Sequence, residues 1–147
     1  MSITNPTLFP TAIHMADVIG GVAALGANAD IIPLIRRGLP VSTVAFILDS
    51  GKLTLAELDR IVLPRKTLMH RRKLGSLTPE QSDRLVRVAR LIAAAEETFG
   101  SADKAHIWLR RPTTALAGEK PLELLDTDEG ARRVETLLGR IGHGIAA

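Results

Sequence analysis

The chain has 147 residues, 46% of them apolar, a formal net charge of +3 and no cysteine. That length and apolar content support one compact domain or two small ones sharing a core, and exclude a chain disordered throughout. The lack of cysteine excludes disulfides, thiol catalysis and thiolate-bound metal.

In chain order, the first ten residues hold Pro6 and Pro10 and show no period, so they read as a loose arm. They lack the basic start and apolar centre of a signal peptide, and no later run reaches the eighteen or so apolar residues of a membrane span. A cytoplasmic location is expected. From Thr11 to Leu25 apolar residues crowd without alternation, and Gly20-Gly21 costs a helix there roughly 2 kcal/mol; two short helices or one broken helix are expected. Asn28 or Asp30 can cap a short helix that Gly38 ends, and Pro40 can open another reaching about Asp49.

Thr54 and Glu57 have the spacing of a capping box, predicting a helix from Leu55 to about Ile61. Pro64 suits the first position of a second short helix through Arg72. Two such helices joined by two or three residues make a candidate helix-turn-helix, although neither Leu58 nor Val62 is the small residue or glycine usual there. Thr78 and Gln81 form a second capping box, with Pro79 at the first position of the clearest helix in the chain. Leu85, Val88, Ala89, Ile92, Ala95 and Phe99 recur along it at helical spacing, and Gly100 closes it. Ser101 caps a helix carrying Trp108 that Pro112 stops; a loop leads through Gly118 and Pro121 to Leu125. Thr127 caps the last helix, with Asp128 and Glu129 at its positive end and Arg140 at its negative end. Ala131, Val134, Leu137, Leu138 and Ile141 form its apolar stripe. No strand pattern is found, so the expected fold is all-α, with short helices, a central helix-turn-helix and a C-terminal helical region.

Charge is unevenly placed. Residues 60–90 carry nine Lys/Arg against two acids, whereas residues 115–136 carry six acids against three bases. Tyrosine is absent and aromatics are 3%, which disfavours the stacking platforms of single-strand binders and points any nucleic-acid partner toward duplex DNA. In the segment PRKTLMHRRK, Leu68 is a buried anchor while Arg65, Lys66, Thr67, His70, Arg71 and Arg72 are candidate DNA contacts. The same pattern fits a solvated basic helix end. Trp108 fits the core or a site. The glycine-rich ending from Gly139 fits a frayed terminus or a slim peptide entering a partner's cleft. The four histidines are not paired at helical spacing, no serine sits in a nucleophile elbow and no glycine-rich loop follows a strand. Neither an enzyme nor a metal or other cofactor is expected.

The run TLMHRRKLGSLTPEQSDRLVRVARLIAAAEETFG, followed by AHIWLRRPTTALAGEKPLELLDTDEGARRVETLLGRIGHG, resembles the Xre/MbcA/ParS toxin-binding antitoxins, especially those paired with RES-domain toxins. The similarity covers roughly Leu39 to Ala147. Its most specific marks are Trp108-Leu109 before Pro112, the run Pro121-Leu122-Glu123-Leu124-Leu125, the Thr127 to Gly130 helix start and the Arg140-Ile141-x-His143-Gly144 ending. Gln81 departs from the glutamate expected there but still accepts the capping hydrogen bond. The resemblance implies a central helix-turn-helix binding operator DNA. It also implies a C-terminal region occluding the active site of an NAD-consuming RES toxin, through Trp108, Arg140, Ile141, His143 and Gly144. The expected organisation is residues 1–50 as an N-terminal helical region, 51–100 as the helix-turn-helix region and 101–147 as the toxin-binding region. A homodimer is expected, with contact from residues 11–27, because one short helix-turn-helix buries little DNA surface. The competing reading is a plain transcriptional regulator whose C-terminal half senses a ligand or dimerises.

Overall fold

A computed structural model of the chain describes residues 30–144. The helices expected over residues 11–25 and the dimer contact expected from residues 11–27 lie outside the described residues. Among the described residues there are seven α-helices, two 3-10 turns and no strand; backbone bridges occur singly, at Pro40–Ser76 and Thr113–Glu119. Two compact units divide between Ala89 and Arg90, within one long helix.

In residues 30–89, α1 (Ile31–Arg37) starts where the Asp30 carboxylate accepts the Ile32 amide at 3.0 Å, and Gly38 ends it. Gly38 has φ +89°, and a Cβ there would overlap the Leu77 backbone oxygen. Glycine therefore permits a close backbone approach. Next to it the Leu77 amide donates to the Leu39 carbonyl at 2.9 Å, and the Leu39 amide to the buried Ser82 hydroxyl at 2.8 Å. Helix α2 (Ser42–Asp49) begins two residues after Pro40, later than the sequence suggests. The Pro40 carbonyl accepts both the amide and the hydroxyl of Thr43, at 3.0 and 2.7 Å. Helix α3 (Leu55–Ile61) carries the full Thr54–Glu57 capping box, with reciprocal bonds of 2.9 and 3.1 Å. Helix α4 spans Arg65–Leu74. The Thr78–Gln81 box, at 3.0 and 3.1 Å, opens α5 (Pro79–Phe99). Buried Leu34, Leu39, Val44, Ile47, Leu53, Leu58, Leu68, Leu77, Leu85 and Val88 supply this unit's interior, each worth about 1.5–3 kcal/mol of burial.

In residues 90–144, the five consecutive residues Leu91–Ala95 of α5 are all buried. The sequence stripe named Ile92 and Ala95 alone of these; the helix is apolar all round here because it is covered on every side. Ser101 caps α6 (Ala102–Leu109) by accepting the Lys104 amide at 3.2 Å. The expected loop after Pro112 instead forms two 3-10 turns, Thr114–Leu116 and Pro121–Asp126, which bury Leu116, Pro121, Leu122 and Leu125. Thr127 accepts the Gly130 amide at 2.9 Å and starts α7 (Asp128–Gly142). Helix α7 packs on both turns, and α6 on the second. Its stripe is as expected for Ala131, Val134, Leu137 and Leu138, all buried, while Ile141 is half-buried. Gly130 lies so close to the second turn that a Cβ would overlap the Leu124 carbonyl oxygen.

Candidate functional site

The helix-turn-helix is built from α3, the turn of Val62, Leu63 and Pro64, and α4. The turn needs no glycine because Val62 keeps φ at −117° and its side chain, with that of Leu63, is buried. The amides of both residues donate to the Leu58 carbonyl, at 2.9 and 3.1 Å. Pro64 flanks α4 and does not occupy its first turn. It offers no side-chain cap, and the Asp59 carboxylate of α3 accepts the Arg65 amide at 2.8 Å in its place. That bond fixes one helix against the other. Leu68 points inward at 2% exposure.

Of the DNA contacts expected from sequence, Arg65, Lys66, His70 and Arg72 are exposed on α4, and Thr67 is half-buried. Arg71 is also half-buried, and its Nε donates to the Ser76 carbonyl at 2.8 Å, so it ties the end of α4 to the loop after Gly75. Lys73, not among the contacts expected from sequence, is exposed on the same helix, as is Met69 at 62%. The face is cationic, with no acidic residue in α4.

The second surface lies in residues 90–144. Trp108 is interior, 5% exposed, with its ring centroid 5.4 Å from that of Phe99 at a tilted 46°. Its neighbour Ile107 is exposed at 61%. Arg140, His143 and Gly144 are exposed at the end of α7. Neither the frayed terminus nor the slim peptide expected from Gly139 holds as far as Gly142: Gly139 and Gly142 are helical, and α7 runs through Gly142, while residues 145–147 lie outside the described residues. Buried Leu137 and Leu138 hold this turn down, and Gly142 packs toward the Thr98 methyl. The His143 amide donates to the Gly139 carbonyl at 3.0 Å. Its ring Nδ1, 2.8 Å from the same oxygen, must carry a proton to bond it. Arg140 and His143 are thus presented by a rigid helix end.

Beside that end runs an open groove of about 410 Å³ between α7 and the turn at residues 115–119, lined by Leu116, Leu124, Arg132, Arg133, Leu137 and Arg140 among others. Its floor is apolar and its rim charged. Arg132 pairs with Asp128 at 2.9 Å and Arg133 with Glu129 at 3.6 Å, all four well exposed, so these pairs hold little energy and are open to exchange for a partner's charges. Among the described residues no group of three His, Cys, Asp or Glu is placed to hold a metal, and no helix is long and apolar enough to cross a membrane.

The fold and its two surfaces define an all-helical helix-turn-helix protein with a second, C-terminal helical unit. The model of the antitoxin Xre-like helix-turn-helix domain matches residues 30–90, and that of the antitoxin Xre/MbcA/ParS C-terminal toxin-binding domain matches residues 94–144. The chain is 35% identical over 124 residues to the protein named antitoxin Xre of Pseudomonas putida, a match covering 84% of this chain and 77% of the relative. It is 34% identical over 118 residues to the antitoxin Xre of Yersinia enterocolitica, covering 78% and 80%. A shorter match, 34% over 80 residues, reaches a Prs ADP-ribosylating antitoxin of a Sphingobium species, covering 48% of this chain and 50% of that one. The chain belongs to the Xre/MbcA/ParS antitoxin family.

Proposed function

We propose that the chain is the antitoxin of a type II toxin-antitoxin pair, that it silences a RES-type, NAD-consuming toxin by occluding its active site, and that it represses its own operon through the helix-turn-helix. The observation that carries this reading is the joining of a matched helix-turn-helix domain to a matched toxin-binding domain in one chain. The RES partner is favoured by the resemblance of the Trp108 to Gly144 region to antitoxins of RES toxins, and by the name Xre shared by the relatives that match most of the chain. The end of α7 is the part offered to the toxin. Arg140 and His143 stand exposed on a helix anchored by Leu137 and Leu138, and the adjoining groove gives an apolar floor for a partner side chain. The Arg140 guanidinium, a donor only, can bond toxin carboxylates or carbonyls that otherwise take the hydroxyl and amide groups of the dinucleotide. Ordered backbone at that position lowers the entropy lost on docking.

The basic outer face of α4 is proposed as the major-groove reader, with Arg65, Lys66, His70, Arg72 and Lys73 in contact with base edges or phosphates. Arg71 supports it from behind through Ser76. A homodimer pairing two such helices on one operator is part of this reading. The role is one of binding, with no catalytic step assigned to the chain. The relative named for ADP-ribosylation supplies a variant of the toxin's chemistry, since ADP-ribosyl transfer also breaks the nicotinamide–ribose bond of NAD. The test is co-expression with the product of the adjoining gene. Growth rescue together with co-purification supports the reading, and a harmless neighbour that does not co-purify leaves the plain regulator.

A further inference from the structure

Met69, like Leu74 at the end of the same helix, is a large apolar side chain left exposed. It is 62% exposed in the middle of the most basic of the described helices. At 3.6 residues per turn, Lys66, Met69, His70 and Lys73 occupy positions i, i+3, i+4 and i+7 of one stripe, turned away from the buried Leu68. An apolar protein surface pressed onto Met69 would strip water from the surrounding cations without pairing them, which is costly. A DNA major groove does the opposite. Phosphates and guanine edges take the cations, and the one apolar group the groove displays, the C5 methyl of thymine, takes the thioether chain. A methionine side chain is unbranched and adaptable enough to settle against such a methyl.

We infer that Met69 reads a thymine methyl in the operator and so sets base preference at that position. The inference rests on α4 being the recognition helix. It assigns Met69 to specificity, in contrast to the lysines and arginines around it, which supply affinity.

The test uses the full chain and selection from a pool of randomised DNA duplexes. The selected duplex is then resynthesised with each thymine in turn replaced by deoxyuridine, which pairs identically but lacks the methyl. At fixed salt, one replacement should weaken wild-type binding about fourfold, the worth of one buried methyl-sized group. Met69→Ala should bind both duplexes equally and keep the wild-type salt dependence, because no phosphate contact is lost; Met69→Leu should retain the discrimination. Met69 is exposed, so neither variant should disturb folding. The inference is overturned if no thymine is sensitive to loss of its methyl, or if Met69→Ala still discriminates. It is also overturned if Met69→Ala leaves DNA binding intact and abolishes capture of the toxin, which would place Met69 in a protein interface. A pool that yields no bound duplex at all removes the recognition-helix reading itself, and this inference with it.

Discussion

Replacing Trp108 with alanine should strongly destabilise the C-terminal unit and not merely blunt its surface. The indole is 5% exposed and packs against Phe99 at 5.4 Å between ring centroids. Truncating a buried aromatic of this kind costs about 3–5 kcal/mol, of which about 0.5–1.5 kcal/mol belongs to the ring pair. A domain has only about 5–15 kcal/mol in total, and at about 4–8 °C per kcal/mol for a unit this small, Tm should fall by about 12–40 °C. Trp108 is the one tryptophan of the chain, and its fluorescence in the wild type reports this site alone. Calorimetry and far-UV dichroism follow the variant. Toxin capture should decline in step with the folded fraction, and Trp108→Phe should recover most of both. A Trp108→Ala protein with wild-type Tm that no longer captures toxin would refute the core assignment and make the indole a direct contact.

Gly130→Ala should destabilise the same unit by more than about 2 kcal/mol, visible in chemical denaturation, because the new methyl would overlap the Leu124 carbonyl oxygen. Combined replacement of Arg65, Lys66 and Arg72 by alanine should abolish binding to the operator duplex in band-shift titrations and leave toxin neutralisation unchanged. Arg71→Ala, by contrast, should cost about 1 kcal/mol of stability through loss of its bond to Ser76. Arg140→Ala should weaken toxin inhibition by about 1–3 kcal/mol with Tm unchanged, as measured by titration of inhibition.

Local signals were legible in the sequence, and non-local ones were not. The boxes at Thr54–Glu57 and Thr78–Gln81, and the caps at Asp30, Ser101 and Thr127, each satisfy amides two or three residues away, so spacing alone reveals them. The Asp59 cap on Arg65 crosses a turn and spans six residues; no short motif encodes it, and local signals place the start of α4 one residue early, on Pro64. The ending failed for a related reason. Gly139 and Gly142 weaken a helix in isolation, yet tertiary burial of Leu137 and Leu138 outweighs that propensity and extends α7 to Gly142. The basic face of α4 could be read from composition, but Arg71's bond to Ser76 and the exposure of Met69 could not. The groove depends on a turn ten or more residues from the α7 side chains that face it, and it has no sequence signature.

Whether the chain inhibits an NAD-consuming toxin is read from turnover of NAD by that purified toxin. Nicotinamide release, common to NAD hydrolysis and ADP-ribosyl transfer, is followed as the full chain is added. Release should fall to background in saturating excess, while the Arg140→Ala chain should need a higher concentration for the same effect. Undiminished release at saturating excess, with both proteins folded, would contradict the claim.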